Sequence, residues 1–242
     1  MQVWFDEIKR QFILNFINDD RWRFLLNGLT ATLRITFFAL LIGIVIGIVI
    51  AIVRSTHDKN VDKLRSRTGR FVLGFFNWVC KVYLTVIRGT PVVVQLMIFY
   101  FILLVSIRSG ELIGIIAFGI NAGAYIAEIF RSGIMSIDNG QFEAGRSLGF
   151  NYIQTMLYII IPQAFKNILP TLANEFIVLL KETAVVGYVA VQDLTKAGHI
   201  IGGRTFSWIM PLLAVALIYL ILVMFFTWLV SRLERRLRRS ER

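Results

Sequence analysis

The sequence of 242 residues contains a single cysteine, Cys80, which excludes an internal disulfide. Its two histidines, His57 and His199, have no cluster of cysteine, histidine or carboxylate at ligand spacing, so no metal site is expected. No Gly-x-x-x-x-Gly-Lys-Ser/Thr run is present, and the chain therefore has no phosphate-binding loop of its own. No His-Glu-x-x-His run and no nucleophile–base constellation is visible, so no catalytic residues are predicted.

Charged residues make up only 17% of the sequence, and they lie between long apolar runs. A helix needs about 20 mainly apolar residues to cross a bilayer, and several runs reach that length. The sequence therefore predicts an all-α integral membrane protein. The net charge of +11 comes from basic residues at the ends of apolar runs, which is typical of a membrane boundary and argues against nucleic-acid binding.

Five transmembrane helices are predicted, at about residues 25–53, 91–107, 112–134, 170–189 and 206–230. The apolar segment 71–87 is ambiguous, because a polar stripe with helical spacing runs along it. The stripe consists of Asn77, Lys81, Thr85 and Arg88. It favours a helix that lies at the membrane interface and leads into the second span, and a sixth span is the alternative.

Two basic clusters indicate the orientation. Residues 54–70 and 231–242 are rich in lysine and arginine, so both are expected in the cytoplasm. Two cytoplasmic segments require an even number of crossings between them, and spans two to five provide four. The N-terminus is therefore predicted outside, and the loop 135–167 and the C-terminus inside.

Three regions are expected along the chain. Residues 1–24 are predicted to form an amphipathic helix at the outer leaflet, and they lack the pattern of a cleavable signal peptide. The apolar face of this helix consists of Phe5, Ile8, Phe12 and Phe16. Residues 25–230 form a single transmembrane domain, and residues 231–242 form a basic cytoplasmic tail.

Small residues are paired four positions apart in two predicted spans. Gly43 and Gly47 lie in the first span, and Gly119 and Gly123 lie in the third. Such pairs permit close crossing of helices. The contact is either inside one subunit or between two subunits.

The cytoplasmic loop is predicted to contain two helices. The first ends at Gly149, a usual C-terminal residue, and the second ends at Pro162, which a helix cannot easily pass. Each begins with a capping residue followed three positions later by glutamine. The two pairs are Asp138 with Gln141 and Asn151 with Gln154.

A motif in this loop resembles the Glu-Ala-Ala motif of permease subunits of ATP-binding-cassette (ABC) importers. The family motif reads Glu-Ala-Ala, three residues, Gly, nine residues, Ile, one residue, Leu-Pro. The matching residues are Glu143, Ala144, Gly145, Gly149, Ile159, Ile161 and Pro162. Gly145 replaces alanine and Ile161 replaces leucine, while the spacing matches throughout.

Further segments resemble the polar amino-acid uptake permeases among these importers. They are Arg88-Gly89-Thr90-Pro91 with Gln95, Tyr125-Ile126-Ala127-Glu128 with Arg131 and Gly133, and Leu180-Lys181-Glu182-Thr183. The resemblance implies a type I ABC importer permease fold in the bacterial inner membrane. It also implies a second permease subunit, two ATPase subunits that hold ATP and Mg²⁺, and an external substrate-binding protein.

The resemblance assigns coupling to the ATPase to six loop residues. They are Glu143, Ala144, Gly145, Gly149, Ile159 and Pro162. Small side chains allow the backbone of a partner to approach closely, and a glutamate in the first turn complements the helix dipole. Taken alone, the glutamate is equally consistent with a solvated carboxylate, and the glycines with helix ends.

Polar residues inside the predicted spans are candidates for the substrate pathway, because ionisable groups in a membrane are costly and usually functional. The candidates are Asn121, Tyr125, Glu128, Gln95, Tyr100, Glu175, Lys181 and Glu182. Alternatively, Lys181 pairs with a glutamate to hold helices together, and Glu128 pairs with Arg131.

The excess of glutamate over lysine among these residues favours cationic cargo, namely arginine, lysine or histidine, with glutamine next. A secondary transporter or channel without an ATPase partner is the alternative function, although no repeat of halves supports it.

Overall fold

A computed structural model describes residues 2–61 and 66–239. These residues are helical almost throughout, and no strand occurs among them. The α-helices are α1 (Gln2–Phe12), α2 (Trp22–Asn60), α3 (Arg67–Gly89), α4 (Val92–Ile98), α5 (Gly110–Met135), α6 (Asn139–Ser147), α7 (Tyr152–Thr155), α8 (Ile161–Glu182), α9 (Leu194–Thr205) and α10 (Ile209–Arg239). Widened π-helical turns follow α1, α4 and α7 at Ile13–Ile17, Phe99–Leu103 and Met156–Ile160, and a 3₁₀ segment, Thr183–Val189, follows α8. The prediction of an all-α protein is confirmed.

Four described helices are long and apolar enough to cross a membrane by length and composition. They are Trp22–Lys59, Arg67–Gly89, Gly110–Met135 and Ile209–Leu237. Three of them contain most of the predicted first, third and fifth spans. The predicted fourth span differs, since α8 begins nine residues before residue 170 and ends at Glu182.

The predicted second span is shorter in the structure. The helical segment from Val92 ends at Leu103, which gives a rise of about 18 Å, against a hydrocarbon core of about 30 Å. In contrast, α3 measures about 34 Å, so its length alone permits a crossing. An even number of crossings is kept if only one of these two segments crosses.

The predicted basic loop 54–70 is mostly helical. The α2 helix continues to Asn60 and α3 begins at Arg67, so most of its basic residues lie on helix ends; Lys63 and Arg65 lie outside the described residues. The predicted basic tail is likewise the end of α10, up to Arg239.

The described residues cluster into two compact units. The first unit contains the chain up to Ala39 together with Val92–Phe118 and Ile177–Leu229. Its apolar core consists of Phe16, Leu25, Leu194, Ala197, Ile201 and Val215. The predicted N-terminal helix forms, but its apolar face is divided: Phe16 is 8% exposed and packs into this core, whereas Phe5 is 62% exposed.

The second unit contains Leu40–Pro91, Gly119–Phe176 and the segment from Val230 onward. Its two apolar cores are Ile50 with Leu84, Ala124 and Ala127, and Ile134 with Ile160, Ala164 and Ile168. Close crossing of α2 and α5 depends on glycine, since a Cβ on Gly47 would lie 2.6 Å from Ile126 Cγ2. The predicted small-residue contact is therefore formed inside this chain.

Candidate functional site

The α6 helix begins at a side-chain cap. The Asp138 carboxylate accepts a hydrogen bond from the backbone N–H of Gly140 at 2.6 Å, so the predicted helix start is confirmed. Gln141 does not complete the predicted capping box; its Oε1 accepts from Gln163 Nε2 at 3.2 Å. That hydrogen bond ties the first turn of α6 to α8.

Gly149 ends α6 in the left-handed conformation, with φ of +81°. The backbone N–H of Phe150 donates to the Gly145 carbonyl at 3.0 Å, and that of Gly149 donates to the Arg146 carbonyl at 2.9 Å. These two bonds form a Schellman motif, which satisfies carbonyls that the helix end leaves free. A Cβ on Gly149 would meet no atom within 4 Å, so the backbone conformation, not space, requires glycine here.

The α7 helix begins with the predicted capping box. Asn151 Oδ1 accepts from the Gln154 N–H, and Gln154 Oε1 accepts from the Asn151 N–H, both at 2.9 Å. The predicted stop at Pro162 is wrong, because the helix passes through a π-helical turn into α8 and also contains Pro170. The Ile161 N–H bonds to the carbonyl five residues back, so the turn is already widened where proline, which has no N–H, follows.

Gly145 is the contact point between α6 and the helix that follows. It is buried, and a Cβ there would lie 2.7 Å from Thr155 Cγ2 and 3.2 Å from Ile159 Cδ1. Gly145 stands where the motif has alanine because Thr155 occupies the space that an alanine Cβ would need. Gly145 and Ile159 pack within this chain, whereas Glu143 and Ala144 are exposed.

Large apolar side chains are exposed around the turn at Gly149. Leu148 is 72% exposed, Ile153 66% and Tyr158 70%. We call Leu148, Ile153 and Tyr158 the loop patch. This patch was not predicted from the sequence, although it consists of apolar residues beside two polar capping pairs. Exposed apolar groups that lie outside the predicted spans are candidates for a surface that binds a partner.

A cluster of ion pairs joins α2 and α5. The Glu128 carboxylate lies 3.1 Å from Arg131 Nη2 and 3.5 Å from Arg54 Nη1, and Arg131 Nη1 lies 3.4 Å from Asp58. Of the two interpretations left open by the sequence, the structure shows the pairing of Glu128 with Arg131, and it adds Arg54. Glu128 therefore does not supply an uncompensated negative charge.

The same cluster indicates where the end of α3 lies relative to the cytoplasmic boundary of the membrane. The Arg88 guanidinium lies 5.6 Å from the centroid of the Tyr125 ring, and Tyr125 is one helical turn from Glu128, the partner of Arg54. Arg54 follows the apolar run of the first predicted span. If α3 crossed the membrane from the cytoplasm, Arg88 would lie about 30 Å from that level. This proximity therefore favours the interfacial interpretation of α3.

The other predicted pathway residues are divided between the two units. Asn121 and Gln95 are buried, Tyr100 and Glu175 are half-buried, and Lys181 is exposed. Within the described chain, Lys181 makes no ion pair within 4.0 Å, but its charge interacts with the neighbouring Glu182. Glu182 is half-buried and likewise makes no ion pair with the residues that the structure describes.

A family model described as a binding-protein-dependent transport system inner membrane component matches residues 67–239. The chain belongs to this permease family. The family consists of membrane components that work with separate ATP-hydrolysing subunits, so the prediction of a transport subunit without its own ATPase is confirmed. The alternative of a transporter without an ATPase partner is thereby rejected.

Relatives of this permease are amino-acid transporters. The arginine transport system permease protein ArtQ of Bacillus subtilis is 36% identical over 221 residues, covering 90% of this chain and 94% of the relative. The glutamine transport system permease protein GlnP of Escherichia coli K12 is 38% identical over 166 residues, covering 67% and 76%. The chain is therefore an amino-acid ABC transporter permease.

Solved structures have the same fold. A crystal structure of an amino acid ABC transporter with histidines is 39% identical, with a TM-score of 0.77 over 88% of this chain and 94% of that one. An inward-facing methionine transporter, MetNI, is 21% identical, with a TM-score of 0.74 over 91% and 99%. The predicted type I importer permease fold is confirmed.

Proposed function

We propose that this permease and a second permease subunit, identical or closely related, form the pathway of a bacterial importer of polar amino acids. Two ATPase subunits, which hold ATP and Mg²⁺, bind on the cytoplasmic side, and an external binding protein delivers the substrate. The observation that carries the proposal is the α6–α7 segment. Its cap at Asp138, its left-handed turn at Gly149 and its capping box at Asn151 build the family motif as an ordered helix pair.

The ATPase binds, in this proposal, to the loop patch and to Glu143 on α6. The prediction that Glu143 lies in the first turn is wrong, because α6 begins at Asn139. The patch offers apolar side chains that exclude water on contact, and the exposed Glu143 offers a carboxylate for a basic group of the partner. Gly145, Ile159 and the helix beneath them form the support. Gly149 and Pro162 shape the segment, so the six predicted coupling residues have different roles.

The docking proposal is tested by Leu148→Asp and Ile153→Asp in the assembled complex. We expect loss of ATPase subunits during purification and loss of substrate-stimulated ATP hydrolysis, while the permease stays folded. Phe206→Asp is the matched control, because Phe206 is 90% exposed and lies at the predicted outer end of the fifth span. Normal ATPase retention in both loop variants would reject docking at this surface.

The preferred substrate, in this proposal, is a cationic amino acid, with glutamine as the runner-up. The names of the relatives include an arginine and a glutamine permease. With Glu128 neutralised by two arginines, the half-buried Glu182, which makes no ion pair in the described chain, is the better candidate acceptor. The charge of the neighbouring Lys181 acts on Glu182 without forming an ion pair, and a carboxylate in a low-dielectric site attracts further positive charge.

Substrate stimulation of ATP hydrolysis by the complete complex tests this preference. Arginine, lysine and histidine should stimulate more than glutamine, and glutamate should not. We expect Glu182→Gln to weaken stimulation by arginine about 10-fold or more relative to glutamine, as loss of a buried charge pair does. Glu128→Gln, the matched control, should not change this ratio. Preference for glutamate or aspartate would contradict the proposal.

A further inference from the structure

A cavity of about 580 Å³ in the second unit is lined by three cationic side chains. Arg54 comes from the end of α2, and Lys81 and Arg88 come from α3. Thr85 and Tyr125 add hydroxyl groups, and Leu84 adds an apolar wall. Lys81, Thr85 and Arg88 recur at spacings of four and three, which places them on one side of α3. They belong to the polar stripe visible in the sequence.

Among the described residues, the positive charge of this cavity is only partly neutralised. Arg54 shares the Glu128 carboxylate with Arg131, and its Nε is buried without a hydrogen-bond partner. Within the described residues, neither Lys81 nor Arg88 has a carboxylate within 4.0 Å. Uncompensated cations in a recess bounded by low-dielectric walls attract an anion.

The donors suit a phosphate group. A guanidinium presents a planar fork of N–H groups that matches phosphate oxygens, and an ammonium adds a point charge with three donors. The Tyr125 ring, 5.6 Å from the Arg88 guanidinium, limits where that side chain can lie. The Thr85 hydroxyl supplies a further donor between the two cations.

The surface beside the cavity is apolar. Trp78 is 60% exposed, Val82 42% and Val86 53%, and all three lie on α3 next to the cationic side chains. Arg54 follows the apolar run of the first span, so the cavity is expected at the cytoplasmic boundary of the membrane. A molecule with an anionic head group and an apolar chain would place its head group in the cavity and its chain against this apolar surface.

We propose that this cavity binds the phosphate of an anionic phospholipid of the cytoplasmic leaflet. A basic recess among transmembrane helices is a known form of head-group site in membrane proteins. The bound lipid neutralises the cations between α2 and α3 and fixes α3 at the interface.

The test uses the complete transporter, purified in detergent and supplied with phosphatidylglycerol or phosphatidylcholine, with bound lipid counted by native mass spectrometry. Phosphatidylglycerol should be retained preferentially. The Lys81→Gln/Arg88→Gln variant, which keeps most of each side-chain stem, should retain about 30-fold less, the factor for two cations near a phosphate. Arg67→Gln/Arg70→Gln is the matched control, because both arginines are exposed on the same helix outside the cavity.

Four results would overturn the lipid assignment. Equal retention of the two lipids shows that charge is not recognised, and equal loss in both double variants shows a diffuse basic surface. Full displacement by millimolar inorganic phosphate shows a site for the free anion. Displacement by the transported amino acid shows a part of the substrate pathway. If Lys81→Gln/Arg88→Gln does not fold, Thr85→Val provides the second variant, with a smaller loss expected; unchanged retention there also counts against the site.

Discussion

Gly145 occupies the position at which the permease motif has alanine. Thr155 packs into the space that the alanine side chain would occupy. A Cβ on Gly145 would lie 2.7 Å from Thr155 Cγ2, well inside van der Waals contact. Thr155 cannot move freely, because its hydroxyl donates to the Asn151 carbonyl at 3.0 Å within the capping box. The two positions therefore form one packing unit, and a change at either affects the other.

Gly145→Ala is expected to destabilise the loop, although it restores the family residue. Overpacking of this kind costs about 1–3 kcal/mol in free energy of unfolding. The double variant Gly145→Ala/Thr155→Ala should recover most of that cost, because it removes the two Thr155 atoms that lie within 2.8 Å of the new Cβ and leaves only Ile159 Cδ1 at 3.2 Å. Thermal unfolding of the two single variants and the double variant forms a double-mutant cycle. Additive effects would show that the two residues are not coupled.

Two substitutions at Gly149 test separately whether glycine is required for its backbone conformation or for its lack of a side chain. Its φ of +81° costs other L-residues about 1–2 kcal/mol, and asparagine tolerates such conformations best. Gly149→Asn should therefore retain most substrate-stimulated ATP hydrolysis. Gly149→Trp should lose it, because the bulky side chain stands in open space where the partner approaches. Normal amino-acid uptake by Gly149→Trp would count strongly against the docking role.

At the scale of elements, the continuous path from α7 into α8 is the main departure from expectation. Tyr152–Thr155, the π-helical turn and Ile161–Glu182 follow one another without a break. The loop segment proposed to meet the ATPase is therefore the beginning of a helix that reaches Glu182, the proposed acceptor of cationic substrate.

The N-terminal helix is held by one buried asparagine. Asn15 Nδ2 donates to the Ser207 hydroxyl at 3.1 Å, and Asn15 Oδ1 accepts from the Thr205 hydroxyl at 2.7 Å. Asn15→Ala would leave polar groups unsatisfied and should cost about 1–3 kcal/mol. We expect faster hydrogen exchange in α1 with transport little changed. Lys9→Ala, on the exposed side of α1, is the control, and equal exchange in both variants would contradict this role of Asn15.

Local signals in the sequence predicted the local structure well. The caps at Asp138 and Asn151 and the turn at Gly149 depend on bonds between residues at most five positions apart, so the spacing of residue types contains them. The partners of Arg54 and Asn15 lie 74 and about 190 residues away, and no local pattern specifies such contacts. The predicted helix end at Pro162 was wrong because the widened turn before it packs against the core of the second unit, a contact that the local sequence does not contain.

For the whole molecule, the arrangement of charges and the length of each helix set the membrane topology. The four crossings expected between the basic clusters would be supplied by α5, α8, α10 and one of α3 and α4, although α8 is not among the four helices that are long and apolar enough by composition. Arg54 and Arg88 line the same cavity, and their partners on α5 are one turn apart. On the predicted orientation, the end of α3 is therefore expected near the cytoplasmic level of Arg54. The helical segment Val92–Leu103 rises only about 18 Å, so a crossing there would need the residues that flank it.

Single cysteines in a Cys80→Ser background test this topology with a membrane-impermeant thiol reagent on intact cells. Thr90→Cys decides between the two interpretations of α3: it should stay unlabelled from outside if α3 lies at the cytoplasmic interface, and it should react if α3 crosses. Ser106→Cys, after α4, should react in either case and so controls for expression. Asn139→Cys, at the start of α6, should react only after the cells are opened. Labelling of Asn139→Cys in intact cells would contradict both the predicted orientation and the proposed ATPase docking. Labelling of Thr90→Cys alone would show that α3, and not α4, crosses the membrane.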